Sequence, residues 1–212
     1  MSQRLPGQVI GRAGGGLEEA NAGWAANADV ARVGRAGELA TARVLDEWAS
    51  RPGGPSVLHD LTIPGSRANV DHVVVSGTRL LLVDSKVWKP GLYWSAGGRV
   101  FRGAHRFVHA EKKTMEMAAD RLAEYVARFG LHVQVAAPVT AVWSSSTHGS
   151  VHLVLLRLAG LRTLHGQRLS PRLAGRGPAD QRVVQVLAAL CASARPAPVP
   201  TPRRGPSRSD AW

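Results

Sequence analysis

Residues 70–86 read VDHVVVSGTRLLLVDSK, two short apolar runs on either side of a Gly-Thr pair. Runs of that length and composition suit buried strands. A two-residue loop with Gly77 first suits a type II′ turn, which closes an antiparallel hairpin. In that register Ser76 faces Arg79, and counting outward brings Asp71 opposite Asp84. Facing side chains have Cβ atoms about 5 Å apart, and two ionised carboxylates at roughly that distance repel by about 3 kcal/mol at an effective dielectric near 20. Such a hairpin requires either a protonated acid or a cation between the two. A longer turn would shift the register and weaken the convergence.

Strand alternation puts Asp84 and Lys86 on one face with Leu80 and Leu82. Two carboxylates and a backbone carbonyl suit a hard divalent cation such as Mg²⁺ or Mn²⁺, and a neighbouring lysine can orient water or stabilise negative charge on a phosphate. The alternative is a strand-end acid pair neutralised by Lys86 or a nearby arginine. Glu38 lies seven residues before Leu45 on an expected helix, so both project to nearly the same side, at the edge of its apolar stripe.

The remaining pattern places elements around the hairpin. Helical spacing of Gly37, Thr41, Val44, Leu45 and Trp48 predicts a helix over 30–49. SVLHDLTI at 56–63 predicts a strand stopped by Pro64-Gly65. A second helix is expected over 109–129, with Met115, Ala118, Leu122, Tyr125, Val126 and Phe129 on one side and Gly130 as its stop. Strands are expected near 139–145 and 151–157, then a helix near 178–192 with Pro178 in its first turn. This order implies an α/β protein, a mixed β-sheet flanked by helices. Residues 1–29, rich in Gly and Ala, read as a disordered arm. Residues 193–212, rich in Pro and Arg, read as a disordered tail. One domain over 30–192 lies between them.

The formal net charge is +12, and 44% of the residues are hydrophobic. The first 29 residues hold two Arg and three acids and residues 193–212 four Arg and one Asp, which leaves the intervening domain a net +10. The basicity therefore belongs to the folded part, and it favours a polyanion partner, nucleic acid first. One cysteine, Cys191, excludes an intrachain disulfide and a Cys-based zinc site. The first thirty residues lack an apolar core of signal-peptide type, and no run is long enough to span a membrane. A cytoplasmic protein with no membrane contact is expected. No phosphate-binding G-x-x-x-x-G-K-[ST] loop occurs.

GRAGELATARVLDEW, DLTIPGSRANVDHVVVSG and LLLVDSKVWKPG, taken in order, resemble the nuclease-related domain family of the PD-(D/E)xK nuclease superfamily. The resemblance covers roughly residues 33–126 and, more weakly, the domain to about 190. It implies a restriction-endonuclease-like core. It also implies that Asp71, Asp84, the Ser85 carbonyl and Glu38 serve the metal and that Lys86 is the catalytic lysine. His72 matches the family's Asp-His pair but falls on the opposite strand face from Asp71, so it reads, like His59, as a structural histidine. Many superfamily members carry a glutamine on the helix after the core strands, where this chain has HAEKKTMEMAADR.

From 86 to 113 the chain interleaves Lys86, Lys89, Arg99, Arg102, Arg106, Lys112 and Lys113 with Trp88, Tyr93, Trp94, Phe101 and Phe107, against Glu111 as the one acid. Cations draw phosphates and aromatic faces stack unpaired bases. Trp88 and Phe107 are expected in the core, and Lys89, Arg99, Arg102, Arg106, Lys112 and Lys113 on nucleic acid. The reading that follows is a Mg²⁺- or Mn²⁺-dependent nuclease acting on DNA. The alternatives are a catalytically weak or inactive nucleic-acid-binding module of the same fold, and an accessory protein recruited through its tail.

Overall fold

A computed structural model describes residues 5–15, 25–110, 114–158 and 160–191. Its elements in chain order are β1 (Val9–Ile10), α1 (Ala25–Ser50), β2 (Ser56–Thr62), β3 (Asn69–Ser76), β4 (Arg79–Trp88), β5 (Gly91–Ala96), β6 (Arg99–Arg102) and β7 (His105–Arg106). There follow α2 (Thr114–Ala127), β8 (Gln134–Val135), β9 (Val139–Ser144), β10 (Val151–Leu155), β11 (Arg162–His165) and α3 (Gln181–Ala188).

The main sheet runs β1-β2-β3-β4-β9-β11, with β8 also pairing β4. β2, β3 and β4 are antiparallel, whereas β1 runs parallel to β2, and β4, β9 and β11 are parallel. The central hairpin has the expected register, from Ser76↔Arg79 to His72↔Val83. Gly77 has φ 57°, and Thr78 is not among the residues with positive φ, as a type II′ turn requires.

Alternation along the hairpin feeds two cores. Val73, Val75, Leu80 and Leu82 meet Met115, Ala118, Leu122 and Val126 of α2 and Val183, Val184 and Leu187 of α3. Val74, Leu81 and Val83 meet Leu45, Trp48 and Ala49 of α1. This is a mixed α/β architecture consistent with a restriction-endonuclease-like core.

Several sequence expectations need correction. The arm expected to be disordered over 1–29 contributes β1, and the Gly7 amide donates to the Ala49 carbonyl at 2.8 Å. α1 already begins at Ala25, inside that arm. Pro178 precedes the last helix rather than opening it, because Asp180 is the N-cap, its carboxylate accepting from the amides of Arg182 and Val183. Phe129 lies past the end of α2 and is 53% exposed, stacked edge-on against Tyr125. The tail over 193–212 lies outside the described residues.

The pattern also hid a second sheet. Residues between β4 and α2 fold with β10 into a four-stranded sheet, order β10-β5-β6-β7. Its inner face, Tyr93, Val100, Val151 and Leu153, packs on Trp88 and Val142 of the main sheet.

Candidate metal and nucleic-acid site

The β3–β4 ladder ends one pair short of the acids. Asp71 does not form the backbone pair expected opposite Asp84. Instead its Oδ2 accepts the Ser85 amide at 2.7 Å, taking the place of a ladder carbonyl. Asp84 and Lys86 follow on β4, and the Lys86 ammonium lies 2.5 Å from Asp84 Oδ1 and 3.3 Å from the Ser85 carbonyl. The structure therefore meets the repulsion between the acids in two ways at once. Lys86 neutralises Asp84. Burial, and then the charge of Asp84, push the Asp71 carboxyl up to about 8, so that it holds its proton at neutral pH.

Glu38 reaches the same patch because α1 passes close to β4. A Cβ on Gly37 would lie 2.5 Å from Val87 Cγ2, so only glycine permits that approach. Burial raises the Glu38 carboxyl; the Gly14 amide partly offsets this, and Asp60 and Asp84 add to the rise. Burial opposes the charge on Lys86, yet Asp84, Asp71 and Glu38 together hold its ammonium above the usual value. Glu38, Asp71, Asp84 and Lys86 thus share one electrostatic patch.

Asp60 is an acid the sequence reading passed over. It is buried, accepts from Asn69 Nδ2 at 2.7 Å, and has φ 54°, a left-handed conformation uncommon outside glycine. That turn lets Leu58 and Leu61, three residues apart, face the same core. The available signal was an acid in the middle of an otherwise apolar strand.

Beneath the acids, on the α1 face, runs a buried polar chain. Asp46 Oδ1 lies 2.9 Å from His59 Nε2, His59 Nδ1 lies 2.8 Å from His72 Nδ1, and His72 Nε2 lies 3.0 Å from Ser85 Oγ. Ser85 Oγ donates to Thr41 Oγ1 at 2.8 Å, and Thr41 also receives the Trp143 indole N–H. Both nitrogens of both imidazoles are thereby engaged, and burial, with His59 beside it, holds His72 well below its ordinary pKa, hence neutral. His72 and His59 occupy the structural positions expected of them.

The expected phosphate contacts separate. Lys89, Arg99 and Arg106 are exposed. Arg102 faces inward and donates from Nε and Nη2 to the Pro90 carbonyl. Lys112 and Lys113 lie outside the described residues. Trp88, Tyr93 and Phe107 pack together inside, as expected for Trp88 and Phe107.

A family model described as NERD, nuclease-related domain, matches residues 33–139, just over half of the chain. The chain belongs to the nuclease-related domain family. No curated protein and no solved structure matches it. Within this nuclease-related domain the matched stretch carries Glu38, Asp71, Asp84 and Lys86, whereas β10, β11 and α3 lie beyond it.

Among the described residues no three His, Cys, Asp or Glu side chains are grouped to hold a metal ion. The donors that fit a hard divalent cation are instead two carboxylates and a carbonyl: Asp71, Asp84 and Ser85. Two features of the site match that demand. In this half-buried acid pair Asp71, shielded from solvent and facing the charge of Asp84, retains a proton that a divalent cation would displace. The Lys86 ammonium also already rests on the two oxygens, Asp84 Oδ1 and the Ser85 carbonyl, that a cation would take. Among the described residues no helix is long and apolar enough to cross a membrane.

Proposed function

We propose that this chain hydrolyses phosphodiester bonds of DNA with Mg²⁺ or Mn²⁺. The observation that carries the reading is the convergence on the Ser85 peptide: Asp71 on its amide, Asp84 and Lys86 on either side, and Lys86 against its carbonyl. Asp71, Asp84 and the Ser85 carbonyl would hold the cation, with Glu38 in support. Bound there, the cation supplies a Lewis acid to the phosphate and a more acidic water. The chain's own groups do the rest. Asp71 releases its proton as the site loads, Lys86 places a positive charge beside the reacting phosphate and orients the attacking water, and the net charge of +10 on the surrounding domain draws the polyanion.

A second reading is a binding module that turns over weakly or not at all. What favours it is the Lys86 ammonium itself, which must leave Asp84 Oδ1 before a cation can enter. The test is cleavage of single- and double-stranded DNA with Mg²⁺ or Mn²⁺, wild type beside Asp84→Ala. Metal-dependent cutting that disappears in the variant supports the nuclease. Binding without cutting in either protein supports the module.

A further inference from the structure

The second sheet has an outward face that the hydrolytic site does not use. On that face the strand registers place Leu155 beside Trp94, Trp94 beside Phe101, and Phe101 beside Arg106, a single row across all four strands. Trp94 and Phe101 are stacked at 4.5 Å with their planes 18° apart, and the indole N–H is tied to the Gly103 carbonyl at 2.8 Å. In the neighbouring rows His152 pairs with Leu92, and Ala96 with Arg99. Leu92, Val154 and Leu155 are 41%, 72% and 57% exposed. An apolar surface grouped in this way marks a contact site.

Charge decides the occupant. Residues 91–106 and 151–157 contain four Arg, two His and no Asp or Glu. A surface of aromatic rings with arginines at its margin and no acid suits a polyanion whose bases are unpaired. In a duplex the base faces are already stacked on one another and leave nothing for the rings. A cavity of about 530 Å³ opens at the sheet's edge, lined by Gly91, Leu92, Gly103, His105 and Arg106 among others. Position fits as well. Gly91 opens β5 five residues after Lys86 and Trp94 follows three later, so even a fully extended chain keeps Trp94 within about 29 Å of the lysine.

We infer that the outward face of the small sheet seats single-stranded nucleic acid, with unpaired bases against Trp94 and Phe101 and phosphates against Arg99 and Arg106. This rests on the nucleic-acid reading above and adds the strandedness of the substrate.

The experiment uses the full chain in EDTA, so that cleavage plays no part. Fluorescence anisotropy compares a labelled oligothymidine strand with a labelled blunt duplex, for wild type, Trp94→Ala, Phe101→Leu and Trp94→Phe. Wild type is expected to prefer the single strand. Trp94→Ala and Phe101→Leu are expected to weaken single-strand binding roughly five- to hundredfold each, with duplex binding unchanged. Trp94→Phe, which keeps an aromatic face, should stay near wild type. Phe101→Leu keeps apolar volume, so it reports on stacking even if Trp94→Ala folds poorly. Equal losses on strand and duplex would overturn the inference, as would no loss on either. A change of oligomeric state in sedimentation with strand affinity retained would make this face a protein contact instead, and would also overturn it. Absence of any nucleic-acid binding by wild type would remove the proposed function along with it, an outcome distinct from binding that ignores Trp94 and Phe101.

Discussion

Replacing Asp71 by asparagine should flatten the dependence of stability on pH. Its carboxyl is raised from 3.8 to about 8 in the folded protein. A raised acid stabilises the fold fully below its unfolded pKa, and that stability drains away as pH climbs to the folded value. The window is therefore about pH 4 to pH 8. Roughly four units at 1.36 kcal/mol each give about 5 kcal/mol, a large share of the 5–15 kcal/mol typical of a domain. For a chain of this size that corresponds to roughly 10–20 °C in Tm. Glu38, raised in the same sense, is present in both proteins and largely cancels in the difference. Lys86, held above 10.5, loses its contribution only beyond that pH, outside the window. The asparagine keeps an amide oxygen to accept the Ser85 N–H, so the hydrogen bond survives. The assay is urea unfolding at half-unit steps from pH 5 to pH 8.5. The wild-type curve should drop increasingly below the variant's with rising pH, because asparagine matches the protonated acid and never has to ionise. Mn²⁺ should stabilise wild type more at pH 8 than at pH 5, because it competes with the proton. Parallel wild-type and Asp71→Asn curves would refute the claim that this carboxyl is buried neutral.

Asp84→Ala should abolish metal-dependent cleavage while DNA binding in EDTA persists, checked by gel assay and anisotropy. Gly37→Ala would ordinarily help a helix by about 1 kcal/mol, but its Cβ would fall 2.5 Å from Val87 Cγ2. Overpacking should win, for a net loss of roughly 1–2 kcal/mol in urea unfolding. His72→Ala leaves the buried His59 Nδ1 without its partner, while Ser85 Oγ keeps Thr41. At about 1–3 kcal/mol for the stranded group it should cost at least that much, measurable as a fall in Tm.

The hairpin was legible because its information is local. Gly77 sets the turn, the turn sets the register, and the register placed Asp71 near Asp84. Only the last step failed, where Asp71 took the Ser85 amide with its side chain instead of its backbone. β1 was illegible for the opposite reason. Two residues, Val9 and Ile10, pair in parallel with a strand 48 positions away, and nothing in GQVIG announces that partner. The small sheet was half legible. Its charges and rings were visible in the sequence, but which rings face out depends on pairings of β5 with β6 and with the distant β10. Arg102 shows the same limit: its composition says phosphate, and its register turns it inward to Pro90.

Ser85 joins the two chemistries of the molecule. Its backbone serves the acid side of β4, amide to Asp71 and carbonyl to Lys86. Its side chain serves the other side, between His72 and Thr41. A buried polar chain carries a desolvation cost that apolar packing would avoid, so it calls for a reason beyond stability. Here the chain ties Ser85 to two elements, β3 through His72 and α1 through Thr41, and Thr41 is in turn held by the Trp143 indole N–H from β9. A peptide whose side chain is held from both sides cannot rotate without breaking hydrogen bonds in the core. The carbonyl and amide it presents to Asp71 and Lys86 are therefore fixed before any ligand arrives, which is the preorganisation that charge stabilisation requires.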